Sequence, residues 1–399
     1  MSHSATPRRS YFSSESVTEG HPDKVCDAVS DSILDAVLAQ DPMGRVACET
    51  LVTKGKVVIA GEITADADID PDAIARKTIA EIGYDGFDPD FSAKTVEIEN
   101  LLHRQSPDIA HGVTESLEAR HGSTEVFDGL GAGDQGIMFG YACDETPALM
   151  PLPIQFAHRL AEQLATMRKN AVLDYLRPDG KTQVSVAYEN DRAVGIHSIL
   201  ISTHHAEGIE QPRLAHDLSE HVVAPILERY NVAGDVQQLF NPSGRFVVGG
   251  PTADTGVTGR KIIVDTYGGY ARHGGGAFSG KDVTKVDRSA AYAARHAAKN
   301  IVAAGLSRRC EVQLAYAIGQ AHPFSVFVET FRTEEVDPAK LSNLIREFFD
   351  FRPAAIIDRL RLRRPIYKPT AAYGHFGRSG FPWESTESAS ELATAAAGL

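Results

Sequence analysis

The stretch Gly274-Gly-Gly-Ala-Phe-Ser-Gly280-Lys281-Asp282-Val-Thr-Lys285-Val-Asp287-Arg288, running on into Ser289-Ala-Ala-Tyr-Ala-Ala-Arg-His-Ala-Ala-Lys-Asn-Ile-Val-Ala-Ala304 and Gly305, decides how the rest of the chain is read. Glycines let a backbone approach an anion and turn its N–H groups inward, while Lys281, Lys285 and Arg288 add charge and Asp287 is suited to hold a metal between oxygens. Residues 289–304 contain no Gly or Pro and stop at Gly305, so the loop leads into a helix N-terminus, which favours anions. Upstream, residues 261–265 read as a strand. Downstream, 310–317 and 325–330 read as a hairpin and 338–349 as a helix. The order is strand, helix, hairpin, helix.

That order recurs. The first third offers an apolar-polar segment at 11–17, a helix from Pro22 to about Gln40, a hairpin at 45–52 and 56–64 turning at Lys54-Gly55, a helix at 72–82 and a strand near 95–99. The middle third offers a strand at 137–141, a helix at 154–175 leading to Asp179-Gly180-Lys181, strands at 182–188 and 193–203, and a helix at 213–228. Three copies, each about the size of one domain, suggest α+β layers with helices on one face of a mixed sheet rather than a doubly wound sheet. The expected divisions are 10–104, a lid or linker at 105–128, 129–241, 242–383 and a tail at 384–399.

Better-known loops nearly fit, and their failures narrow the chemistry. Gly275-x4-Gly280-Lys281 follows the Walker A pattern until Asp282 stands where Ser or Thr should meet Mg²⁺, and a long Gly/Tyr loop separates it from the strand before it. His273-Gly-Gly-Gly resembles an esterase oxyanion loop, but the chain has no Gly-x-Ser-x-Gly elbow. Gly131-Ala-Gly133-Asp134-Gln135-Gly136 is formally G-x-G-x-x-G, yet residues 137–153 read as strand and loop, not as a dinucleotide-binding helix. A tight bend near a ligand remains, with Asp134 as an acceptor.

A chain of 399 residues with 43% hydrophobic content exceeds one core and can fill two or three. Its formal charge of −13 argues against a general nucleic-acid or membrane-surface binder, so any phosphate site must be a local basic pocket. Cys26, Cys48, Cys143 and Cys310 lie far apart without C-x-x-C spacing, which fits neither a zinc site nor a disulfide scaffold and suits a reducing cytoplasm. No run approaches the roughly 18 apolar residues that span a bilayer, and residues 1–10 lack the apolar core of a secretion signal. Residues 385–399, small and Ala-rich, are expected to fray outside the fold.

In the first helix Val25, Val29, Ile33 and Val37 mark the buried stripe, and Asp27, Asp31 and Asp35 on another face are expected to meet water, as charge rows usually do. His21 and Asp23 stand at the helix mouth, where capping and an anion-site role are equally open. A two-residue hairpin turn sets Glu49 opposite Ala60 and Glu62 opposite Ala47, so both carboxylates share a sheet face. Either they bind a metal ion or an ammonium group, or that face is simply exposed. Between Leu102 and Asp128 periodicity gives way to Gly, Pro, Ser and His, as in a lid or linker.

Taken together, Gly20-His-Pro-Asp-Lys24, Gly131-Ala-Gly-Asp-Gln-Gly136, Asp179-Gly-Lys181, Arg245-Phe246, Gly256-Val-Thr-Gly-Arg260-Lys261 and Gly274-Gly-Gly-Ala-Phe-Ser-Gly-Lys-Asp282 closely resemble the S-adenosylmethionine synthetase (methionine adenosyltransferase) family over about Tyr11 to Trp383. The resemblance implies three similar, intertwined α+β domains. It also implies attack of methionine sulfur on the 5′ carbon of ATP, expelling tripolyphosphate that is then cut to pyrophosphate and phosphate. A thioether has no proton to lose, which agrees with finding no Ser-His-Asp or Cys-His arrangement, whereas a departing polyanion needs fixed cations.

By the resemblance His21, Lys181, Arg260 and Lys281 are catalytic and, with Lys261, line the polyphosphate; an anionic neighbour raises the imidazole pKa, so His21 can serve as an acid. Asp134, Asp179, Gly180, Arg245, Phe246, Asp254 and Ala277 match further ATP contacts, with Phe246 able to stack on the base. Glu62, Gln105, Asp254 and Lys285 match methionine contacts, oxygens facing its ammonium group and lysine its carboxylate. Asp23 and Asp287 match Mg²⁺ carboxylates, two ions being expected per site, and Glu49 matches a K⁺ ligand. Residues 105–112 match a mobile lid. The active site would lie between the subunits of a homodimer, with dimers pairing into tetramers. Cys26 and Thr252-Ala253 depart from the family pattern but replace no functional position. The alternative, a non-catalytic nucleotide-binding regulator on this scaffold, should have lost charges such as His21, Asp23, Lys281 or Asp287.

Overall fold

The computed structural model describes residues 9–104, 115–232 and 234–397. Strand β1 (Arg9–Val17) leads into helix α1 (Pro22–Gln40), the hairpin β2 (Arg45–Thr53) and β3 (Lys56–Thr64), helix α2 (Pro71–Ile82) and strand β4 (Glu97–His103). The middle third contains β5 (Gly136–Cys143), α3 (Leu152–Lys169), the hairpin β6 (Leu176–Glu189) and β7 (Arg192–His205), helices α4 (Gln211–Leu218) and α5 (Ala224–Arg229) and β8 (Gln237–Phe240). The last third contains β9 (Gly256–Val257), α6 (Val286–Ala303), the hairpin β10 (Arg309–Tyr316) and β11 (Ser325–Glu329), and helices α7 (Pro338–Phe348), α8 (Pro353–Arg359) and α9 (Ala389–Ala396). The first hairpin has the expected register: Thr53 pairs with Lys56, and Glu49 and Glu62 face Ala60 and Ala47.

The strands form three sheets, ordered β4-β3-β2-β9, β1-β6-β7-β8 and β11-β10-β5. Each is built around one hairpin and takes an antiparallel outer strand from another third of the chain. Strand β1 pairs with β6, β5 with β10, and β9 closes the circle on β2. This exchange intertwines the three α+β units. One apolar core fills the central unit, between α3 and β6-β7; the other runs continuously through the first and last units.

Several elements differ from their sequence patterns. Residues 261–265 form a one-turn helix, Ile262–Asp265, and the strand of that unit is β9 just upstream. Short apolar runs do not distinguish strand from helix by periodicity. The helix expected at 154–175 ends at Lys169, and Asp179-Gly180-Lys181 lies inside β6 rather than before it. The helix expected at 213–228 is broken by a π turn at Ser219–Val223, ahead of Pro225, which has no N–H to continue the ladder. Helix α6 begins at Val286, so Asp287 and Arg288 stand in its first turn.

The C-terminal stretch is not frayed. Glu384, where the tail was expected to begin, accepts hydrogen bonds from Arg295 at 3.0 and 2.9 Å and from Lys299 at 2.6 Å, both on α6. Leu392 of α9 is fully buried in the larger core. One glutamate and one leucine anchor a segment whose composition looks loose. Replacing Leu392 by Ala should cost roughly 2–5 kcal/mol in urea unfolding, the usual range for a buried leucine; an unchanged midpoint would mean that α9 does not pack in solution.

Candidate active site

Helix α1 organises the site. Val25, Val29, Ile33 and Val37 are fully buried as expected, but Asp27 and Asp31 are fully buried too. This corrects the solvated reading of the row. Asp27 accepts from Lys24 Nζ at 2.7 Å and from the Gly259 N–H at 2.9 Å. Asp31 takes Arg288 in a two-pronged pair at 2.7 and 2.9 Å, and the Gly280 N–H at 2.8 Å. Asp35 accepts from the N–H groups of Tyr367 at 3.0 Å and Lys368 at 2.8 Å. Loops from the last third cover this side of the helix. A signal was present: from Val25 to Gln40 the helix has no Lys, Arg or Glu, the residues that lace a solvated face.

The turn from β1 into α1 rests on β6. Thr18 donates its N–H to Gly180 O at 2.9 Å and its hydroxyl to Pro178 O at 2.6 Å, and Tyr84 donates its hydroxyl to Gly20 O at 2.6 Å. His21, the residue before the first helical turn, accepts the Asp23 N–H on Nδ1 at 3.2 Å, which leaves its proton on Nε2. Burial and then Lys261 push its pKa down to about 3, against the opposing pull of Asp23. In the chain alone His21 is therefore a neutral N–H donor. Ring-nitrogen NMR shifts should report the Nε2–H form without a titration step from pH 8 to about 5; a midpoint near 6.5 would contradict this. Because the folded pKa lies below the unfolded one, the stability this group contributes is complete above about 6.5 and is lost as pH falls toward the folded value.

Beside His21, Asp23 accepts from Lys261 Nζ at 2.6 Å and from the Val257 N–H at 3.0 Å, with Arg260 Nε at 3.9 Å. Burial would raise the Asp23 pKa, but the Lys261 and Val257 hydrogen bonds outweigh it and hold the carboxyl below its usual range. Lys181, exposed on β6, has no ion-pair partner among the described residues. Asp179 accepts the Gly250 N–H at 2.9 Å on one oxygen; its other, buried oxygen accepts no hydrogen bond among the described residues, and burial pushes the carboxyl up to about 6.

A second cluster surrounds Lys281, whose Nζ lies 2.6 Å from Asp287 Oδ2. Gly280 has φ 79°, and a Cβ there would stand 1.8 Å from Cys48 O, so only glycine lets the loop press onto β2. Its N–H points at Asp31 rather than into an open cradle, leaving side-chain cations to supply the attraction. Asp282, the residue that spoils the Walker A pattern, is buried and accepts the N–H groups of Val46 at 2.8 Å and Thr284 at 2.9 Å, as well as Lys285 Nζ. The bend at Gly133 packs against Thr284, and Asp134 accepts the Gln135 N–H at its exposed tip. Ala277 meets Gly259, joining the two clusters.

The remaining candidates lie around these clusters. Phe246 lays its ring on His204 with centroids 5.5 Å apart, and His204 and Arg245 line a cavity of about 400 Å³. Arg245 pairs with Glu207 at 2.6 Å, and Asp254 is exposed. Glu49 is exposed on the face of β2, and Glu62 stands 3.6 Å from His103. Gln105 and the whole of the expected lid, residues 105–112, lie outside the described residues. Among the described residues no group of three or more His, Cys, Asp or Glu side chains could hold an ion. Sequence reasoning missed Lys24, Asp27, Asp31 and Asp265 as members of the buried network under the first cluster.

Family profiles described as the N-terminal, central and C-terminal domains of S-adenosylmethionine synthetase match residues 9–107, 129–246 and 248–385. An S-adenosylmethionine synthase of Desulforudis audaxviator is 58% identical over 389 residues, covering 97% of this chain and 98% of the relative. One from Salinispora tropica is 56% identical over 395 residues, covering 97% and 99%.

Proposed function

Because the chain belongs to the S-adenosylmethionine synthetase family, and so makes S-adenosylmethionine from ATP and methionine, we propose that it does so with lysines held ready in ion pairs, which exchange their carboxylates for the departing polyphosphate. The chain is a methionine adenosyltransferase, and catalysis in the family depends on metal. The observation that carries the proposal is the pairing of Lys261 with Asp23 and of Lys281 with Asp287, each at 2.6 Å.

The methionine sulfur gives a lone pair to the 5′ carbon while the carbon–oxygen pair leaves with the polyphosphate. No proton has to be removed. His21 donates its Nε2–H toward the leaving oxygen, and Lys181, Arg260, Lys261 and Lys281 receive the negative charge. Removing one such preorganised donor typically costs about 2.7–4 kcal/mol of transition-state stabilisation. Asp23 and Asp287 are hard oxygen donors of the kind Mg²⁺ takes one or two at a time alongside substrate phosphates, so they fit that ion without an all-protein cage. When bound, two Mg²⁺ ions would neutralise phosphate charge. The same cations would then hold tripolyphosphate for cleavage to pyrophosphate and phosphate.

We assign Glu49 to K⁺, and Glu62, Gln105, Asp254 and Lys285 to methionine, with residues 105–112 as the lid. Phe246, Arg245, Asp134, Asp179, Gly180, Asp254 and Ala277 are assigned to the nucleotide. The exposed face bearing Glu49, together with Leu101 at 51% exposure, favours a homodimer that completes each site from two chains; dimers would pair into tetramers. The units 10–104, 129–241 and 242–383 follow the three hairpins. Four free, buried cysteines favour a reducing, cytoplasmic setting. The test is to incubate the pure protein with ATP, methionine, Mg²⁺ and K⁺ and to assay the sulfonium product. A stable ATP complex without product would instead support the regulator.

A further inference from the structure

We infer that His205 is a positioning residue for the reaction: the end of β7, through His205 and His204, holds the Phe246 ring where the adenine base stacks. The inference rests on reading Phe246 as the platform for the base. Strand β8 pairs with β7 only as far as Ile201 with Phe240, and the chain beyond runs out to an exposed turn at Pro242 and Ser243 before it returns as Phe246. A surface turn of this kind samples many conformations unless both its legs are held. Three successive residues, Thr203, His204 and His205, hold them.

On the outgoing leg the Asn241 side chain takes both main-chain groups of Thr203, the N–H at 2.7 Å and the carbonyl at 3.0 Å. Asn241 has φ 39°, in the left-handed region that asparagine tolerates, and Gly244, with φ 87°, donates its N–H to Asn241 O at 2.7 Å. On the returning leg the His205 N–H reaches Phe246 O at 3.0 Å, and the Phe246 N–H reaches His205 Nε2 at 3.2 Å. Because Nε2 accepts, the ring proton sits on Nδ1 and is donated to Ala206 O at 2.8 Å. Both main-chain groups of the platform residue are therefore bonded to one histidine. His204 lies against the Phe246 ring and donates its Nε2–H to Val247 O at 3.2 Å, and burial, lowering its pKa to about 4, keeps it neutral. Behind it stand Phe87, edge-on at 5.9 Å, and the fully buried Tyr84, stacked on Phe87 at 5.7 Å. This row of rings backs the platform from the larger core. Both histidines are buried, so removing the His205 ring leaves the Phe246 N–H without an acceptor in a place where water does not readily substitute.

The experiment compares Phe246→Ala, His205→Ala, His205→Gln and the double alanine variant in the full-length protein, measuring kcat, KM for ATP and methionine, and hydrolysis of added tripolyphosphate, which has no base. Phe246→Ala should raise the ATP KM by about 5- to 100-fold, the usual worth of one base–aromatic stack. His205→Ala should raise it by about 5- to 20-fold with kcat and the methionine KM within about threefold, because contacts to a base far from the reacting carbon act on binding more than on turnover. Its tripolyphosphate hydrolysis should stay within about twofold of wild type, which a general loosening of the fold would not allow. His205→Gln, whose amide oxygen can accept where Nε2 does, should recover most of the loss. Adding His205→Ala to Phe246→Ala should raise the ATP KM by no more than about twofold, since both changes act on one interaction. A wild-type ATP KM in His205→Ala, a matching loss of tripolyphosphate hydrolysis, or additive effects in the double variant would overturn the inference. If His205→Ala does not fold, Asn241→Gly, which keeps the left-handed turn and frees the other leg, must raise the ATP KM with normal tripolyphosphate hydrolysis or the inference fails. An unchanged ATP KM in Phe246→Ala would instead defeat the reading of the platform, whereas a raised value there with a normal one in His205→Ala defeats only the mount.

Discussion

Replacing Lys281 by Ala should lower kcat by about 100- to 1000-fold while leaving the methionine KM within roughly threefold. The Lys281 ammonium is partly buried, is paired with Asp287 at 2.6 Å, and stands on a loop that Gly280, Asp31 and Arg288 hold against β2 and α1. Such a group costs little reorganisation when charge develops on a leaving oxygen, which is where fixed cations contribute most. Its contribution belongs to the transition state, so it appears in kcat; a rise in methionine KM at unchanged kcat would mean that Lys281 serves substrate binding and not departure of the polyphosphate. Steady-state kinetics with both substrates varied decide this.

The largest loss of stability should come from Arg288→Met, roughly 3–5 kcal/mol in urea unfolding, because it strands Asp31 as a buried, unpaired charge. Arg288 has no exposure, and its donors reach the Tyr292 hydroxyl at 3.0 Å, Asp31 at 2.7 and 2.9 Å, the Thr370 hydroxyl at 3.0 Å and the carbonyls of Phe278 and Lys281 at 3.0 and 3.2 Å. Removing both charges in Asp31→Leu with Arg288→Met should recover part of the loss, since desolvating an ion pair is itself expensive. If the single and double variants unfold at the same urea concentration, the stranded-charge account is wrong.

Where sequence and structure agree, local rules were sufficient. Alternation and a two-residue turn predicted the register of β2 and β3 to the residue, and the four-residue spacing of valines and isoleucine predicted the buried stripe of α1. The residues proposed for the candidate site come from motif resemblance; their grouping into a Lys261–Asp23 and a Lys281–Asp287 cluster was not legible. Asp27 and Asp31 were misread because a row of like charges on a helix normally faces water; the absence of Lys, Arg and Glu from Val25 to Gln40 signals cover, but not which loops, more than two hundred residues away, supply it. Glu384 and Leu392 were misread for the same reason: a buried partner on α6 or in the core turns a loose composition into an anchored one.

Local patterning by itself therefore determined most of the succession of helices and hairpins and the register of the first hairpin, because these depend on neighbours within a few residues. Only the tertiary structure decided that β1, β5 and β9 leave their own thirds to join another sheet, that the aspartate row of α1 faces protein, and that Lys261 and Lys281 start out paired with Asp23 and Asp287. Those outcomes depend on which distant surfaces meet. Burial and electrostatics are set by what covers a residue, and the local pattern does not identify a covering segment that comes from another third of the chain.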